Sequence, residues 1–309
     1  MPPDICVFER GWLSSNNILL LGDADKGVGA TLVDSGYCTH GAQTLALVQH
    51  ALAGQPLATL VNTHLHSDHC GGNAALQARY AALRTLIPPG QADAVRRWDN
   101  NALSYDSTGQ QCPRFDFDAL LQPGSEIDLG QRSWQVHAAP GHDKDSVLLF
   151  QPDLRLLLSA DALWQNGFGV IFPVIEGEDA YQAVSATLDT IESLKPALVI
   201  PGHGAPFSDV APALARARSR LDYFQAEPTR HARHAAKVFL KFKLLAQQRM
   251  PLSDLLGWAL STRFFHLLWQ GSKTAEPVED WIKGLLAELV SAGAAGLEFD
   301  QEQEMAVNN

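Results

Sequence analysis

His64-Leu65-His66-Ser67-Asp68-His69 is the stretch of this chain that says most about its fold and chemistry. It places four side chains able to bind a metal within six residues. In an extended loop, residues two apart point the same way, so we expect His64 and His66 to converge on one cation while Asp68 and His69 turn toward a second. Burying that many titratable groups without a cation would carry a large desolvation cost. The stretch therefore predicts a metal site rather than a solvated loop.

The segments around this loop predict an α/β fold. The apolar run 57–61 precedes the loop and indicates a buried strand, and the apolar runs 18–21 and 30–33 upstream indicate a hairpin. Segment 40–53 has apolar residues at helical spacing, and 73–82 predicts a further helix. Strand and helix alternate here, as they do in α/β proteins.

Past residue 88 the pattern loosens and then becomes regular again. Between 88 and 123, scattered aromatic residues leave two interpretations open, a surface excursion or a flap that covers a substrate. Apolar runs separated by turn residues then predict a second set of antiparallel strands. These strands and the elements after them are predicted at 126–129, 134–138, 147–150 and 154–159, with a helix at 180–194 and a strand at 198–200.

Three more polar residues stand at predicted strand ends, each beside small residues that let the backbone approach an ion. His142 follows Pro140 and Gly141, Asp161 follows Ser159 and Ala160, and His203 lies between Gly202 and Gly204. Together with the first loop they supply the seven ligands of a dinuclear site: two sets of three and a bridging carboxylate.

These motifs, in this order and with Asp34 at the end of an early strand, resemble the metallo-β-lactamase superfamily over about residues 5–208. The resemblance implies an αββα sandwich with the metals at one edge. It implies that Asp34 orients a ligand histidine, a role whose loss typically costs about 10- to 100-fold in such sites. It also assigns the ligands: His64, His66 and His142 to one metal, Asp68, His69 and His203 to the other, with Asp161 as the bridge.

The same resemblance narrows the branch of the superfamily. Asp161 argues against a true β-lactamase and favours the glyoxalase II, lactonase, thioesterase and RNA-processing branches. Loop 62–72 is similar to that of glyoxalase II. Glyoxalase II also binds glutathione through a lysine and a nearby asparagine and arginine, and this pattern has no match in the chain. The run Asp143-Lys144-Asp145 departs from the family pattern, and we expect its carboxylates to be solvated rather than to shift the pKa of a ligand.

The expected activity is that of a dinuclear metal-dependent hydrolase. The expected cations are two divalent ions, zinc by ligand type, with iron or manganese as alternatives. They would share a water molecule that Asp68 orients and deprotonates to hydroxide. The expected substrate is a small-molecule ester, thioester or lactone. Two alternatives stay open: a phosphodiesterase or ribonuclease with the same metals, and a ligand-binding sensor that retains them.

Composition limits the class of protein. The 309 residues carry a formal net charge of −11, which argues against non-specific nucleic-acid binding by the whole surface. No apolar run approaches the roughly 20 residues that span a bilayer, and the first ten residues lack the pattern of a leader, so we expect no membrane partner and a cytoplasmic location. The four widely spaced cysteines predict buried, unbridged thiols.

The last third differs in composition, which predicts a catalytic domain over 1–210 and a helical extension over 211–309. Basic residues concentrated in 213–249 indicate solvated helix faces, or else a contact with coenzyme A phosphates or nucleic acid. Helices at 232–248, 252–260 and 278–292 and a strand at 296–299 resemble a winged-helix extension of one superfamily branch. We expect a frayed tail over 301–309 and leave a homodimer open.

Overall fold

The computed structural model describes residues 1–173, 179–300 and 303–309. The chain divides into two compact units, the first formed by 1–103 with 111–221 and the second by 104–110 with 222–309. The boundary predicted at residue 210 between a catalytic domain and an extension stays a prediction, because the division into compact units does not identify the residues that catalysis requires. Among the described residues, no helix combines the length and the apolarity that crossing a membrane needs.

Two sheets form the centre of the first unit. In the six-stranded sheet, β1 to β3 are antiparallel and β3 to β6 are parallel. Its strands are β1 (Ile5–Phe8), β2 (Asn17–Leu20), β3 (Ala30–Val33), β4 (Leu57–Val61), β5 (Arg84–Ile87) and β6 (Ala119–Leu120). The five-stranded sheet is antiparallel except for its last pair. Its strands are β7 (Glu126–Leu129), β8 (Arg132–Ala138), β9 (Val147–Gln151), β10 (Leu156–Ala160) and β11 (Leu198–Pro201).

Helices occupy the connections between these strands and much of the second unit. In chain order they are α1 (Gly41–Leu52), α2 (Ser67–Cys70), α3 (Asn73–Arg79), α4 (Ala92–Arg97), α5 (Tyr105–Thr108), α6 (Ala180–Leu194), α7 (Val210–Ala226), α8 (Pro228–Gln247), α9 (Leu252–Ser261), α10 (Arg263–Gly271) and α11 (Val278–Ser291).

Alternation along the strands separates the layers of the first unit. Ile18 and Leu20 of β2 enter the core between the two sheets, which also contains Trp134 and Leu149 of the second sheet. Leu19, between them in sequence, faces the opposite side, in a second core that includes residues of α1 and α3. Because side chains alternate along a strand, one short apolar run can serve both cores.

The strand directions bring the candidate ligands to one edge. β3 runs parallel to β4, and β10 runs parallel to β11, so their carboxyl ends lie on the same side of each sheet. β8 is separated from β10 by the antiparallel β9, so it also ends there. The segments that directly follow β3, β4, β8, β10 and β11 carry all of the residues predicted to form the metal centre.

The second unit contains a small antiparallel sheet of β12 (Arg249–Pro251), β14 (Gln303–Asn308) and β13 (Ala295–Asp300), in that order. The prediction of a frayed tail was therefore wrong for 303–308, and residues 301 and 302 lie outside the described residues. β14 pairs along its whole length with β13, and its Ala306 is fully buried. Burial of this apolar centre within a polar segment outweighs the tendency of the terminus to fray.

Other differences from the predicted elements are local. The strands β1 and β5 were not predicted, and the helix expected over 73–82 ends at Arg79, before β5 begins at Arg84. In 88–123 the structure has short elements, α4, α5 and β6, and Phe115 is a buried packing residue at 1% exposure. Whether this region covers a substrate stays a prediction.

Charges of the basic segment are largely offset by acidic residues from outside it. Arg218 contacts both Asp189 and Glu192 at 2.8 Å within the first unit. In the second unit, Glu288 contacts Arg233 and lies 2.9 Å from Lys237. Exposed pairs of this kind contribute little stability each, but they reduce the positive potential available to an anion. The segment thus has the ion-paired, solvated helix faces that its composition allowed.

Candidate metal centre

The predicted convergence of His64 and His66 is present in the structure. Loop residues after β4 carry both imidazoles, and their ring centroids lie 4.6 Å apart. His142, from the loop after β8, joins them, with its Nε2 2.9 Å from His66 Nδ1. The three residues each offer one nitrogen within a common 4.8 Å limit, so they form a first cluster able to hold a metal.

A second cluster contains Asp68, His69, Asp161 and His203, again within 4.8 Å of one another. His203 Nε2 lies 3.1 Å from Asp68 Oδ2. His69 Nε2 lies 3.9 Å from the same oxygen and 3.4 Å from Asp161 Oδ1. All seven side chains predicted as ligands are therefore brought together in two adjacent sets.

Asp161 lies between the two clusters. Its Oδ2 is 3.3 Å from His142 Nε2 of the first set, whereas its Oδ1 faces His69 and is 3.9 Å from His203 Nε2. The side chain is only 6% exposed. A carboxylate that presents one oxygen to each set has the geometry required of a bridge.

The chemistry of these side chains suits a divalent cation. His64 Nε2 is buried and, among the residues that the structure describes, has no hydrogen-bond partner. A buried polar atom without a partner is costly, and a cation in the first cluster would satisfy it. Imidazole nitrogens and carboxylate oxygens are ordinary ligands of zinc, and iron or manganese accept the same set.

Asp34 makes the contact that its predicted role requires. Its Oδ2 lies 2.8 Å from His69 Nδ1, which leaves Nε2 directed toward the second cluster. The carboxylate is held by Thr63, whose backbone N–H donates at 2.9 Å and whose hydroxyl donates at 2.8 Å. Asp34 itself has a φ of 57°, a left-handed conformation that aspartate tolerates better than most residues.

Burial and neighbouring charges shift the pKa values of the clustered side chains in opposite directions. Burial, with neighbouring His69, holds the pKa of His64 well below its ordinary value. Burial also acts against charge on His69, but Asp161, Asp34 and Asp68 outweigh it and raise its pKa well above the ordinary value. Burial raises the pKa of Asp161, yet His69 and other nearby imidazoles hold it well below the usual range. The buried carboxylates thus require a positive counter-charge, which a cation supplies.

Two glycines allow backbone to lie against the ligands. A Cβ on Gly202 would lie 2.2 Å from Asp161 Oδ1, and one on Gly169 would lie 2.7 Å from His142 Nδ1. The loop that contains Gly169 also supplies the Val170 carbonyl oxygen, 2.7 Å from His142 Nδ1. That contact leaves His142 Nε2 for the centre. Neither the carbonyl nor Gly169 was predicted, because a backbone contact leaves no residue-type signal in the sequence.

The expectation that the extra carboxylates are solvated was wrong for Asp143. This residue is 2% exposed, and burial raises the pKa of its carboxyl. Its Oδ1 accepts from the Asp145 N–H at 2.7 Å, and its Oδ2 lies 3.8 Å from His66 Nε2, the nitrogen turned away from the first cluster. The prediction failed because the burial of Asp143 depends on how the loop after β8 folds, which the residue types alone do not show.

Two tryptophans border the second cluster, and sequence reasoning did not select either of them. Trp12 stacks on the His203 ring, with ring centroids 5.6 Å apart and an interplanar angle of 14°. The residue is nevertheless 59% exposed to solvent. Trp164 packs edge-on against both rings, and its Nε1 donates to Asp161 Oδ1 at 3.2 Å. Trp12 could have been selected from the sequence, because it is a large aromatic residue in the mostly polar run 9–17.

The fold is an αββα sandwich with two adjacent clusters of side chains that could hold metal ions, and comparison with known proteins gives the family. A family model described as the metallo-beta-lactamase superfamily matches residues 10–203, more than half of the chain. The chain therefore belongs to the metallo-beta-lactamase superfamily, which confirms the family and the fold predicted from its motifs.

Curated relatives are distant and match in part. The chain is 27% identical over 158 residues to the acyl-coenzyme A thioesterase MBLAC2 of Homo sapiens, covering 46% of this chain and 54% of that protein. It is 26% identical over 189 residues to a hydroxyacylglutathione hydrolase of Thermosynechococcus vestitus, covering 61% and 62% respectively. The chain thus spans a little over half the length of these relatives.

Solved structures show the same fold along the chain. A metallo-beta-lactamase family protein from Thermus thermophilus matches with a TM-score of 0.58 at 18% identity, covering 99% of both chains. A beta-lactamase domain protein from Burkholderia ambifaria matches with a TM-score of 0.61 at 20% identity, covering 100% of this chain and 94% of the other. At these identities the likeness concerns the fold alone.

Proposed function

We propose that this protein is a dinuclear metal-dependent hydrolase that cleaves a thioester. The observation that carries the proposal is the position of Asp161, which presents one carboxylate oxygen to each of two ligand clusters. A single-metal or purely structural site would not need a buried carboxylate shared in this way. Small-molecule esters and lactones are the alternative substrates for the same hydrolytic chemistry.

The metals would be held as the family resemblance implies, with His64, His66 and His142 on one and Asp68, His69 and His203 on the other. Divalent cations at such a centre supply an activated water and polarise a carbonyl oxygen, worth several kcal/mol of transition-state stabilisation. The chain's own contribution is to orient these ligands. Asp34 fixes His69, the Val170 carbonyl fixes His142, and Asp161 connects the two sets.

Asp68 is the residue that we propose to accept a proton during hydrolysis. Its carboxylate is less buried than that of Asp161, at 14% exposure against 6%. Its Oδ2 faces His203 Nε2, so the other oxygen is the one available to a water molecule in the centre. This position, on the first turn of α2, lets a rigid element hold the proton acceptor.

Thioesters are favoured over esters and lactones by the relatives. The two curated proteins described above are named as an acyl-coenzyme A thioesterase and a hydroxyacylglutathione hydrolase. Trp12 and Trp164 provide an aromatic surface at the edge of the second cluster, which suits an acyl group. A phosphodiesterase gains no support from the basic segment, where Arg218, Arg233 and Lys237 are engaged by carboxylates.

The test is turnover of a panel of substrates by the full chain loaded with Zn²⁺. The panel contains an acyl-coenzyme A, an acylglutathione, an aryl ester, a lactone and a phosphodiester. We expect thioester turnover that is lost on chelation, restored by the metal and abolished in His203→Ala. His137→Ala should keep the activity, because this half-buried histidine contacts Gln135 and belongs to neither cluster. Turnover of the phosphodiester alone, or of nothing in the panel, would refute the proposal.

A further inference from the structure

Two cysteine thiols lie in contact next to the ligand-bearing segment 64–69, because Cys70 directly follows His69 in α2. The sulfur atoms of Cys70 and Cys112 lie 3.8 Å apart, which is van der Waals contact, although 42 positions separate the residues in sequence. Both belong to the first compact unit. All four cysteines of the chain are unbridged in the structure. No role in the proposed hydrolysis uses this pair.

The two thiols differ in how they are held. Cys70 is fully buried as the last residue of α2, and its thiol donates to the carbonyl oxygens of His66 at 3.3 Å and Leu65 at 3.5 Å. Cys112 is only partly buried and lies in a stretch without helix or strand. An oxidant from solvent would therefore meet Cys112 first, with Cys70 directly behind it.

We propose that Cys70 and Cys112 are an oxidative modification site that forms a reversible intramolecular disulfide. A hydroperoxide transfers one oxygen atom to the Cys112 thiol, which gives a sulfenic acid and releases an alcohol, or water from hydrogen peroxide. The Cys70 sulfur then attacks the Cys112 sulfur, the S–S bond forms, and the hydroxyl group leaves as water with the proton from Cys70. The two thiols lose two electrons in total and the peroxide gains them, and a dithiol reductant reverses the reaction.

Closing the gap from 3.8 Å to the roughly 2.05 Å of a disulfide requires one partner to move. Cys70 is anchored by its thiol contacts and by its backbone N–H, which donates to the His66 carbonyl at 3.1 Å. Cys112 lies in irregular chain, so it is the partner that moves. The bond would thus fasten residues 111 and 112 to α2 while His66, Asp68 and His69 keep their positions.

Cys38 provides a competing partner and therefore a control. Its Sγ lies 3.5 Å from the carbonyl oxygen of Gln111, next to Cys112, and burial raises the pKa of its thiol. The structure gives contact between the sulfurs of Cys70 and Cys112, but the contact of Cys38 is with backbone oxygen. Mapping of the linked peptides distinguishes the two pairings.

The experiment treats the reduced full chain, loaded with Zn²⁺, with a small excess of hydrogen peroxide. We expect the thiol count after denaturation to fall from four to two, with a linked peptide pair that contains Cys70 and Cys112. Cys112→Ser should form no intramolecular bond, and Cys38→Ser should form the same bond as the wild type. A Cys38–Cys112 peptide pair, or over-oxidised cysteine without any linked pair, would overturn the proposal.

Thermal unfolding and metal content give an independent readout. A cross-link over a loop of this length should raise the unfolding temperature by roughly 5 °C or more. The rise should disappear on treatment with dithiothreitol and should be absent in Cys112→Ser, while bound metal stays unchanged. Metal loss or a lower unfolding temperature in the oxidised wild type would overturn the inference that the bond forms without disturbing the metal loop.

Discussion

Among single residues, two carboxylates lie behind imidazoles of the candidate metal centre, at different distances. Asp34 lies at hydrogen-bond distance from His69, 2.8 Å, whereas the Asp143 carboxylate is 3.8 Å from His66, beyond an ordinary hydrogen bond. Both carboxylates are buried. The difference in distance predicts a difference in how far each one orients its ligand.

Asp34→Asn should weaken metal binding by about 10- to 100-fold, because the amide removes the charge that orients and polarises His69. The measurement is competition with a chromogenic chelator, which reports affinity without depending on turnover. Thermal unfolding of the metal-free variant serves as a control for folding. Affinity equal to that of the wild type would show that His69 does not need this partner.

Asp143→Asn should have a smaller effect on metal affinity, below about tenfold, because the carboxylate does not reach His66 with a hydrogen bond. The variant is compared with Asp34→Asn in the same chelator competition. A larger loss in Asp143→Asn than in Asp34→Asn would mean that the loop after β8, rather than Asp34, controls the ligand geometry.

Trp12→Ala should raise KM for thioesters with bulky apolar acyl groups by about 5- to 20-fold and change kcat little. The reason is that an exposed indole beside the candidate metal centre would bind the acyl group equally well in the ground state and in the transition state. Losing its contact area costs about 1–2 kcal/mol of binding free energy, which raises KM and leaves kcat unchanged. A series of acyl chain lengths measures the effect. Phe299→Ala, a substitution of an exposed aromatic in the second unit, is the control, and equal KM values across the series would contradict the role of Trp12.

Among the helices and strands, those with a clear hydrophobic pattern and a clear end could be predicted from the sequence. β4, β7 and α6 lie where they were predicted, because β4 is an apolar run, β7 alternates polar and apolar residues, and α6 has apolar residues at helical spacing. β1, β5 and β14 were missed because each is short or polar and is stabilised by pairing with a neighbour that the sequence does not reveal.

The candidate site was more predictable than the elements around it. All seven proposed ligands come together, since side chains with metal-binding chemistry leave a direct signal in the sequence. The surroundings of these side chains leave no such signal in the sequence. The burial of Asp143, the Val170 carbonyl contact and the stacking of Trp12 depend on how loops fold around the centre. Such contacts are set by tertiary structure and have no local pattern.

Gly202→Ala tests the close approach of the loop after β11 to the centre. The added methyl group would lie 2.2 Å from Asp161 Oδ1, so either the loop or the proposed bridging carboxylate must move. We expect the variant to fold but to lose at least one metal per chain. Gly257→Ala in α9 has open space around it and should keep the wild-type metal content. Full metal content in Gly202→Ala would show that Asp161 can shift without breaking the site.

At the scale of the whole molecule, the first unit contains all the residues that we propose for catalysis, and the second contains most of the paired charges of the basic segment. The family model ends at residue 203, before the second unit's main segment begins at residue 222. The proposed chemistry therefore belongs to the first unit, where we propose that two metals are bound and connected by the Asp161 carboxylate.

The most direct test of this claim is the number of metal ions per chain, measured by elemental analysis after loading and desalting. We expect two per chain for the wild type. For Asp161→Ala we expect one or none, together with loss of turnover. One metal per chain in the wild type, or two in an active Asp161→Ala, would contradict the dinuclear centre.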